Sequence, residues 1–335
     1  MTEIASETPS TETARPARHV VIGGGSGFVG TALREALQAR GDRVTLISRQ
    51  PGPGRITWDG LARDGLPACD VVVNLAGRHI LDPRRRWDAR YRDEVIRSRV
   101  ETTEALVDAM NAMATPPEVF VSTAGKCFYG TREMTDGASY PVLDEESAPM
   151  GQDFPGELVA TWEQAAERVD ASRIRHVRLR LGIVLGKVEP QGRLAKLWRI
   201  GRHKGILPAI RPLFCLGLGP KLGHGRQPFP WVHVDDVVGI MLTVMEDRRA
   251  VGRYNCVAPG IVSSGHFLGA YARHLHRPVL WRAPRWLITR LVGAERVSIL
   301  LEGQHVVPRR TLAMGYRFRF PTLGPALSDL VEITI

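Results

Sequence analysis

The run Gly23-Gly24-Gly25-Ser26-Gly27-Phe28-Val29-Gly30 is the segment whose residue types and spacing point most directly to chemistry. A short apolar stretch at 19–22 precedes it and an amphipathic stretch at 31–39 follows, which predicts a strand, a tight turn and a helix. In that setting Gly24 and Gly27 permit the turn and a close backbone approach to a pyrophosphate. Gly30 lets the helix pack closely on a sheet. The helix start offers free N–H groups and the positive end of a dipole, so Phe28 and Val29 lie in a dinucleotide-phosphate loop.

The next strand predicts which dinucleotide. It spans 43–47 and runs into Ser48 and Arg49, and no Asp or Glu lies between Asp42 and Asp59. An acidic residue at this point would hold a ribose 2′-hydroxyl and repel a 2′-phosphate. A hydroxyl followed by a guanidinium suits the phosphate, so the expected cofactor is NADP(H). A plain surface arginine after a strand is the alternative, and its position favours the cofactor reading.

These residues need a scaffold. Apolar runs at 70–75, 118–122 and 176–181 predict further strands, and a long helix is expected over 87–113. Strands that read as unbroken Val, Ile and Leu are covered on both faces. The expected fold is therefore α/β, a Rossmann doubly wound parallel sheet. Beyond residue 185 the chain turns rich in Pro and Gly, with shorter helices such as 237–245, which reads as a smaller C-terminal substrate lobe. The expected organisation is a disordered tail over 1–18, a nucleotide-binding domain over 19–280 with its substrate lobe mainly from 187 onward, and a C-terminal domain over 281–335.

Composition narrows the function classes. The chain has 335 residues, 44% hydrophobic and 24% charged, as in ordinary globular proteins. The longest apolar stretch, near 237–245, is about half the roughly 20 residues a membrane span needs, so no membrane partner is expected. Residues 1–18 lack the apolar stretch of a secretory signal. Cys69, Cys127, Cys215 and Cys256 are far apart and form no metal-type pair, which fits a reduced, cytoplasmic setting. The net charge of +10 is almost all arginine. No nucleic-acid motif accompanies it, so a solvated basic surface is expected and no nucleic-acid partner.

Further segments resemble one family. Asn74-Leu75-Ala76-Gly77 is similar to the N-x-A-G element of short-chain dehydrogenases/reductases. Tyr129-Gly130, Asp144-Glu145 and the stretch from Arg180 to Gly186 resemble the extended, epimerase-type branch. So do the stretches from Phe229 to Asp236 and from Tyr254 to Pro259. Leu301-Glu302-Gly303-Gln304, Val307-Pro308 and the stretch from Gly315 to Pro321 narrow the resemblance to the atypical "epimerase family protein" group, which carries a short C-terminal domain of unknown role. It covers about residues 19–330. The resemblance implies an extended Rossmann fold that binds NADP(H). It places Ser48 and Arg49 at the adenosine phosphate, and Asn74, Leu75, Ala76 and Gly77 along the cofactor. Glu94, Arg99 and Val184 match further cofactor positions. Read from the residues alone, Glu94 and Arg99 are a helix-surface charge pair and Val184 a core valine.

Ordinary members of that superfamily use a tyrosine as general acid/base, with a lysine four residues later that stabilises the phenolate. Here no tyrosine has such a lysine, and 154–163, where the pair is expected, contains neither residue type. Ser122 and Thr123 sit where the family places a hydroxyl that polarises the substrate oxygen. Lys126 and Tyr129 follow in the next loop, on the side expected for the nicotinamide. These four are the catalytic candidates; ordinary strand-end packing is the alternative. Trp231, His233, Asp235 and Asp236 are expected to line or organise the substrate lobe. A His two residues from an Asp can be a general base, but more often forms a structural bond, here with Asp235 or Asp236 capping the helix that follows. Gln304 and Arg309 are weaker substrate candidates from the C-terminal domain, with a surface role as the alternative. Residues 195–219 depart from the family pattern, and 198–204 read as a basic, aromatic insertion: a lid, a partner loop or a tolerated surface insertion. The expected function is an NADP-dependent oxidoreductase or epimerase-like enzyme acting on a small polar substrate. Loss of the Tyr–Lys pair favours the alternative, a non-catalytic NADP(H)-binding redox sensor or regulator.

Overall fold

The computed structural model describes residues 16–78, 80, 85, 88–130, 139–149, 153–186 and 205–331. The expectations for residues 1–15 and for the insertion at 198–204 lie outside the described residues.

Seven strands form one parallel sheet: β1 (His19–Gly23), β2 (Arg43–Ser48), β3 (Arg55–Thr57), β4 (Val71–Asn74), β5 (Val119–Gly125), β6 (Arg175–Leu181) and β7 (Gly252–Cys256). Their order across the sheet is β3-β2-β1-β4-β5-β6-β7. The order reverses between β1 and β4, and a crevice for ligands forms at the carboxyl ends of such strands. The expected doubly wound sheet is present. β3 and β7 were not foreseen as strands; β3 is three residues long and β7 has only Tyr254 and Cys256 as apolar members.

Side-chain alternation explains why both faces are apolar. Val20, Ile22, Val71, Val73, Val119 and Val121 point to one face, where α1 (Phe28–Ala39) packs. Val21, Val72 and Phe120 point to the other, covered by α2 (Trp58–Asp64), α3 (Ala89–Asn111) and α4 (Phe154–Glu167). The long helix expected from 87 begins at Ala89, because Asp88 caps it by accepting the Tyr91 N–H at 2.8 Å. Asp153 caps α4 in the same way through the Gly156 N–H at 2.7 Å.

After β6 the chain builds α5 (Ile206–Cys215), α6 (Val234–Glu246) and α7 (Ser264–His274). The C-terminal part adds α8 (Arg285–Val292), α9 (Ala294–Leu301), α10 (Arg309–Ala313) and α11 (Leu323–Leu330). α6 covers the α1 face of the sheet through Val237, Met241 and Val244. The C-terminal segment is not a free-standing unit: Leu323, Ala326 and Leu327 of α11 share a core with Trp231, Phe267 and Tyr271. Among the described residues no helix is long and apolar enough to cross a membrane.

Candidate functional site

The carboxyl ends of β1, β2, β4 and β5 bring the first group of candidates to one edge. Gly24 has φ +77°, and a Cβ there would lie 2.6 Å from the carbonyl carbon of Leu75. A Cβ on Gly30 would lie 2.6 Å from the Gly24 oxygen. Both positions therefore need glycine on steric grounds. Gly27 differs: its Cβ would meet only the Gly24 oxygen, at 3.2 Å. Gly27 is also the N-cap of α1 and supplies no side chain to the first-turn amides. A glycine turn open on that side, beneath an uncapped helix start, fits a pyrophosphate. Phe28 packs against Gly186, where a Cβ would have no room, and Val184 pairs with Val232 in a two-stranded sheet.

The turn is closed from above by the loop after β4. The Leu75 N–H donates to the Gly23 oxygen, and Asn74 Oδ1 accepts the Ala76 N–H at 3.0 Å. Asn74 is buried, and its amide nitrogen donates to Thr103 on α3. Gly77 makes room for Arg99, since a Cβ there would lie 3.1 Å from the guanidinium carbon. Asn74, Leu75, Ala76, Gly77 and Arg99 thus meet at the glycine loop.

Arg99 and Glu94 do not form the charge pair that their positions on α3 had suggested. Glu94 is held by Arg78, Arg85 and Arg90. Arg99 is buried, donating to the carbonyls of Val95 and Arg78 and lying over the Trp162 ring. It has no carboxylate partner among the described residues, and burial pulls its pKa down to about 10. A guanidinium placed in the interior without a counter-charge is a site for an anion or an electron-rich ligand.

At the end of β2, Ser48 donates its hydroxyl to the Gln50 carbonyl, which shapes the turn that presents Arg49. Arg49 is exposed and makes no ion pair among the described residues.

The catalytic candidates behave differently. Ser122 bonds the His176 ring at 2.8 Å, and the His176 ring stacks on Phe120. Thr123 donates to the Asn74 carbonyl at 2.7 Å. Both hydroxyls are spent tying β5 to its neighbours. Tyr129 is fully buried; its phenol donates to Asn255 at 2.8 Å and accepts from Arg180 at 3.1 Å. Burial raises its pKa, with Arg180 working against that. This corrects its expected place beside the substrate: Tyr129 is part of an interior network. Arg180 is the centre of that network, paired through two bonds of 2.7 and 2.9 Å with Glu163 on α4 and lying over Phe128.

Lys126 stands apart. It is 7% exposed, and its ammonium donates to Gln304 Oε1 at 2.5 Å. The Gln304 amide in turn donates to the Gly130 carbonyl. No carboxylate lies within ion-pair distance of Lys126 among the described residues. Two sequence candidates 178 residues apart are thus in direct contact. The docking is extensive: His305–Val306 pairs with Val142–Leu143, Arg309 bonds Asp144 at 2.9 Å, and buried Glu145 accepts the N–H groups of Asn255 and Arg310.

The motif around His233 makes structural bonds, the more common of its two expected roles. Trp231 is buried and donates to the Gly260 carbonyl. His233, not an aspartate, caps α6, accepting the Asp235 N–H at 3.1 Å. Its other ring nitrogen lies 3.3 Å from Asp329, and its ring stacks on Phe320. Burial lowers its pKa, against the pull of Asp235 and Asp329. Asp236 accepts from the Tyr316 hydroxyl and from the N–H groups of Arg319 and Phe320. The motif anchors the C-terminal segment. Sequence reasoning missed Glu163, Asn255 and Glu145 as partners; Asn255 and Glu145 lie in segments that carry the family resemblance, and nothing in the sequence sets Glu163 apart from the other acids of α4.

With this geometry in place, the model of the NAD dependent epimerase/dehydratase family matches residues 20–257. The chain belongs to that family. A second model, for a domain of unknown function (DUF1731), matches residues 283–330. The epimerase family protein SDR39U1 of Bos taurus is 44% identical over 313 residues, covering 93% of this chain and 99% of its own. The epimerase family protein YfhF of Bacillus subtilis is 27% identical over 322 residues, covering 93% and 98%. Among solved structures, human epimerase family protein SDR39U1 with NADPH superposes with a TM-score of 0.84 at 41% identity, covering 93% of this chain and 99% of that one. The epimerase-family domain and the segment after it thus correspond to the two halves of the molecule that meet at Lys126 and Gln304.

Proposed function

We propose that the protein is an NADP(H)-dependent oxidoreductase of the epimerase type that acts on a small polar carbonyl or hydroxyl substrate, with Lys126 in place of the missing Tyr–Lys pair. The observation that carries this reading is a buried ammonium whose one close partner is the neutral amide of Gln304. The NADPH in the similar human structure and the absence of a carboxylate after β2 support the cofactor choice. The glycine-loop amides and Arg49 would hold its phosphates, with Arg99 beside the 75–77 loop. When bound, the nicotinamide would supply or accept a hydride. Lys126 would exchange Gln304 Oε1 for a substrate oxygen and stabilise the charge that develops there. Gln304 would stay on the Gly130 carbonyl and keep the loop in place.

The test is NADPH oxidation against a panel of aldehydes, ketones and nucleotide sugars. Lys126→Met should lower kcat about 100-fold or more, as expected for loss of one preorganised donor, while NADPH still binds. Tyr129→Phe should leave kcat within about threefold and lower stability by about 1–3 kcal/mol, because Asn255 and Arg180 lose a buried partner. Unchanged turnover in Lys126→Met overturns the assignment. A specific observation favours the second reading, a non-catalytic NADP(H)-binding redox sensor: the hydroxyls of Ser122, Thr123 and Tyr129 are all committed to internal bonds. Tight NADPH binding without oxidation across the whole panel would put that reading first.

A further inference from the structure

The positive charge of the chain is not spread evenly. Residues 205–234 and 257–294 contain no Asp or Glu and together hold eight Arg and Lys. These stretches supply the lobe of α5, α7 and α8. Among the described residues this lobe carries the most exposed large apolar side chains: Leu216 at 73%, Leu280 at 76% and Trp286 at 68%. Leu213, Leu218 and Trp281 are exposed beside them.

Hydrogen bonds hold the patch together. The Leu218 N–H donates to the Leu213 carbonyl, the Trp281 indole donates to the Leu218 carbonyl, and Arg277 donates to the Cys215 carbonyl. The end of α5 and the segment before α8 therefore form one surface. Next to Trp281 in the chain, Arg282 lines a cavity of about 350 Å³ with His224, Arg285 and Leu301. His224 Nδ1 accepts the Arg226 N–H, which leaves Nε2 as the N–H of the neutral ring. That Nε2 is buried and has no hydrogen-bond partner among the described residues. The acidic neighbour in the region is Glu302, 3.6 Å from Arg285.

We propose that this face binds an anionic lipid surface peripherally, with the exposed leucines and tryptophans in the interface and a head-group phosphate in the His224–Arg282–Arg285 cavity. Apolar and indole side chains beside a field of arginines are the two components such binding needs: inserted apolar area and attraction to anionic lipid. A symmetric contact with a second copy would press one arginine-rich face on another. A nucleic acid would satisfy the arginines but leave the exposed leucines in water. The chain read on its own predicts no membrane partner, because the leucines and tryptophans are scattered over about seventy positions and only the fold gathers them.

The experiment is flotation of the full chain with vesicles of phosphatidylcholine alone or mixed with phosphatidylglycerol. The protein should float with the anionic vesicles, stay behind with the neutral ones, and detach in high salt. Leu216→Ser with Leu280→Ser, and separately Arg282→Glu with Arg290→Glu, should each weaken binding about tenfold or more. Circular dichroism and NADPH binding should be unchanged in both, which shows that they fold. Failure of the wild-type chain to float with anionic vesicles overturns the proposal, as does binding that the leucine pair does not weaken. So does capture by short duplex DNA with the vesicles ignored.

Discussion

At Gly24 and Gly30 the chain is shaped by its own backbone: the Leu75–Ala76 backbone against the first, and the Gly24 oxygen with the Gly25 backbone against the second, leave room for nothing larger than hydrogen. Between Lys126 and Glu145 it is shaped by side chains from far along the sequence. Lys126 meets Gln304, Tyr129 meets Asn255, and Glu145 meets Asn255 and Arg310, at separations of 110 to 178 residues. A phosphate loop built from backbone amides works in any member of a fold that keeps its glycines. The opposite end is particular to a chain that carries this C-terminal segment. The glycine-loop end is therefore general and the Lys126 end individual, which is where a change of chemistry can occur without a change of fold.

The contrast can be broken most forcefully at Glu163. Glu163→Ala leaves Arg180, fully buried, without its carboxylate, and should destabilise the protein by about 3–5 kcal/mol. Urea unfolding measures it, and a loss below about 1 kcal/mol would mean that water reaches Arg180 and that the network is not the support described. On the cofactor half, Arg49→Gln should weaken NADPH binding about tenfold and leave NADH binding unchanged. Calorimetry showing an equal loss for both cofactors would remove Arg49 from the 2′-phosphate.

The smallest effect concerns His176, whose pKa is lowered to about 3, by burial first and by the Arg178 charge second. The unfolded state takes up a proton near pH 6.5 and the folded state does not, so stability is present above that pH and falls as the pH drops. Between pH 6.5 and 5.5 the loss should be about 1 kcal/mol, and His176→Asn should remove it. An unchanged slope in His176→Asn would show that the ring titrates freely and that Ser122 is not held by a neutral imidazole.

Valine-rich strands, the glycine spacing and the missing acid after β2 determined the doubly wound sheet and the cofactor edge from the sequence alone. These are local properties: periodicity, backbone freedom and the charge at one strand end act within a few residues. The sequence also showed that the usual Tyr–Lys pair is absent, but not what stands in its place. Trp231 and His233 read as substrate contacts or, more often, as anchors. Only the tertiary structure supplies the anchoring partners: Phe320 and Asp329 against His233, and the Gly260 carbonyl against Trp231. Likewise, nothing near Tyr129 in the chain says that Arg180 and Asn255 will consume its hydroxyl, and nothing near Lys126 announces Gln304. Those outcomes depend on which distant elements share a core. Long-range burial decides whether a polar side chain faces a ligand or another part of the protein.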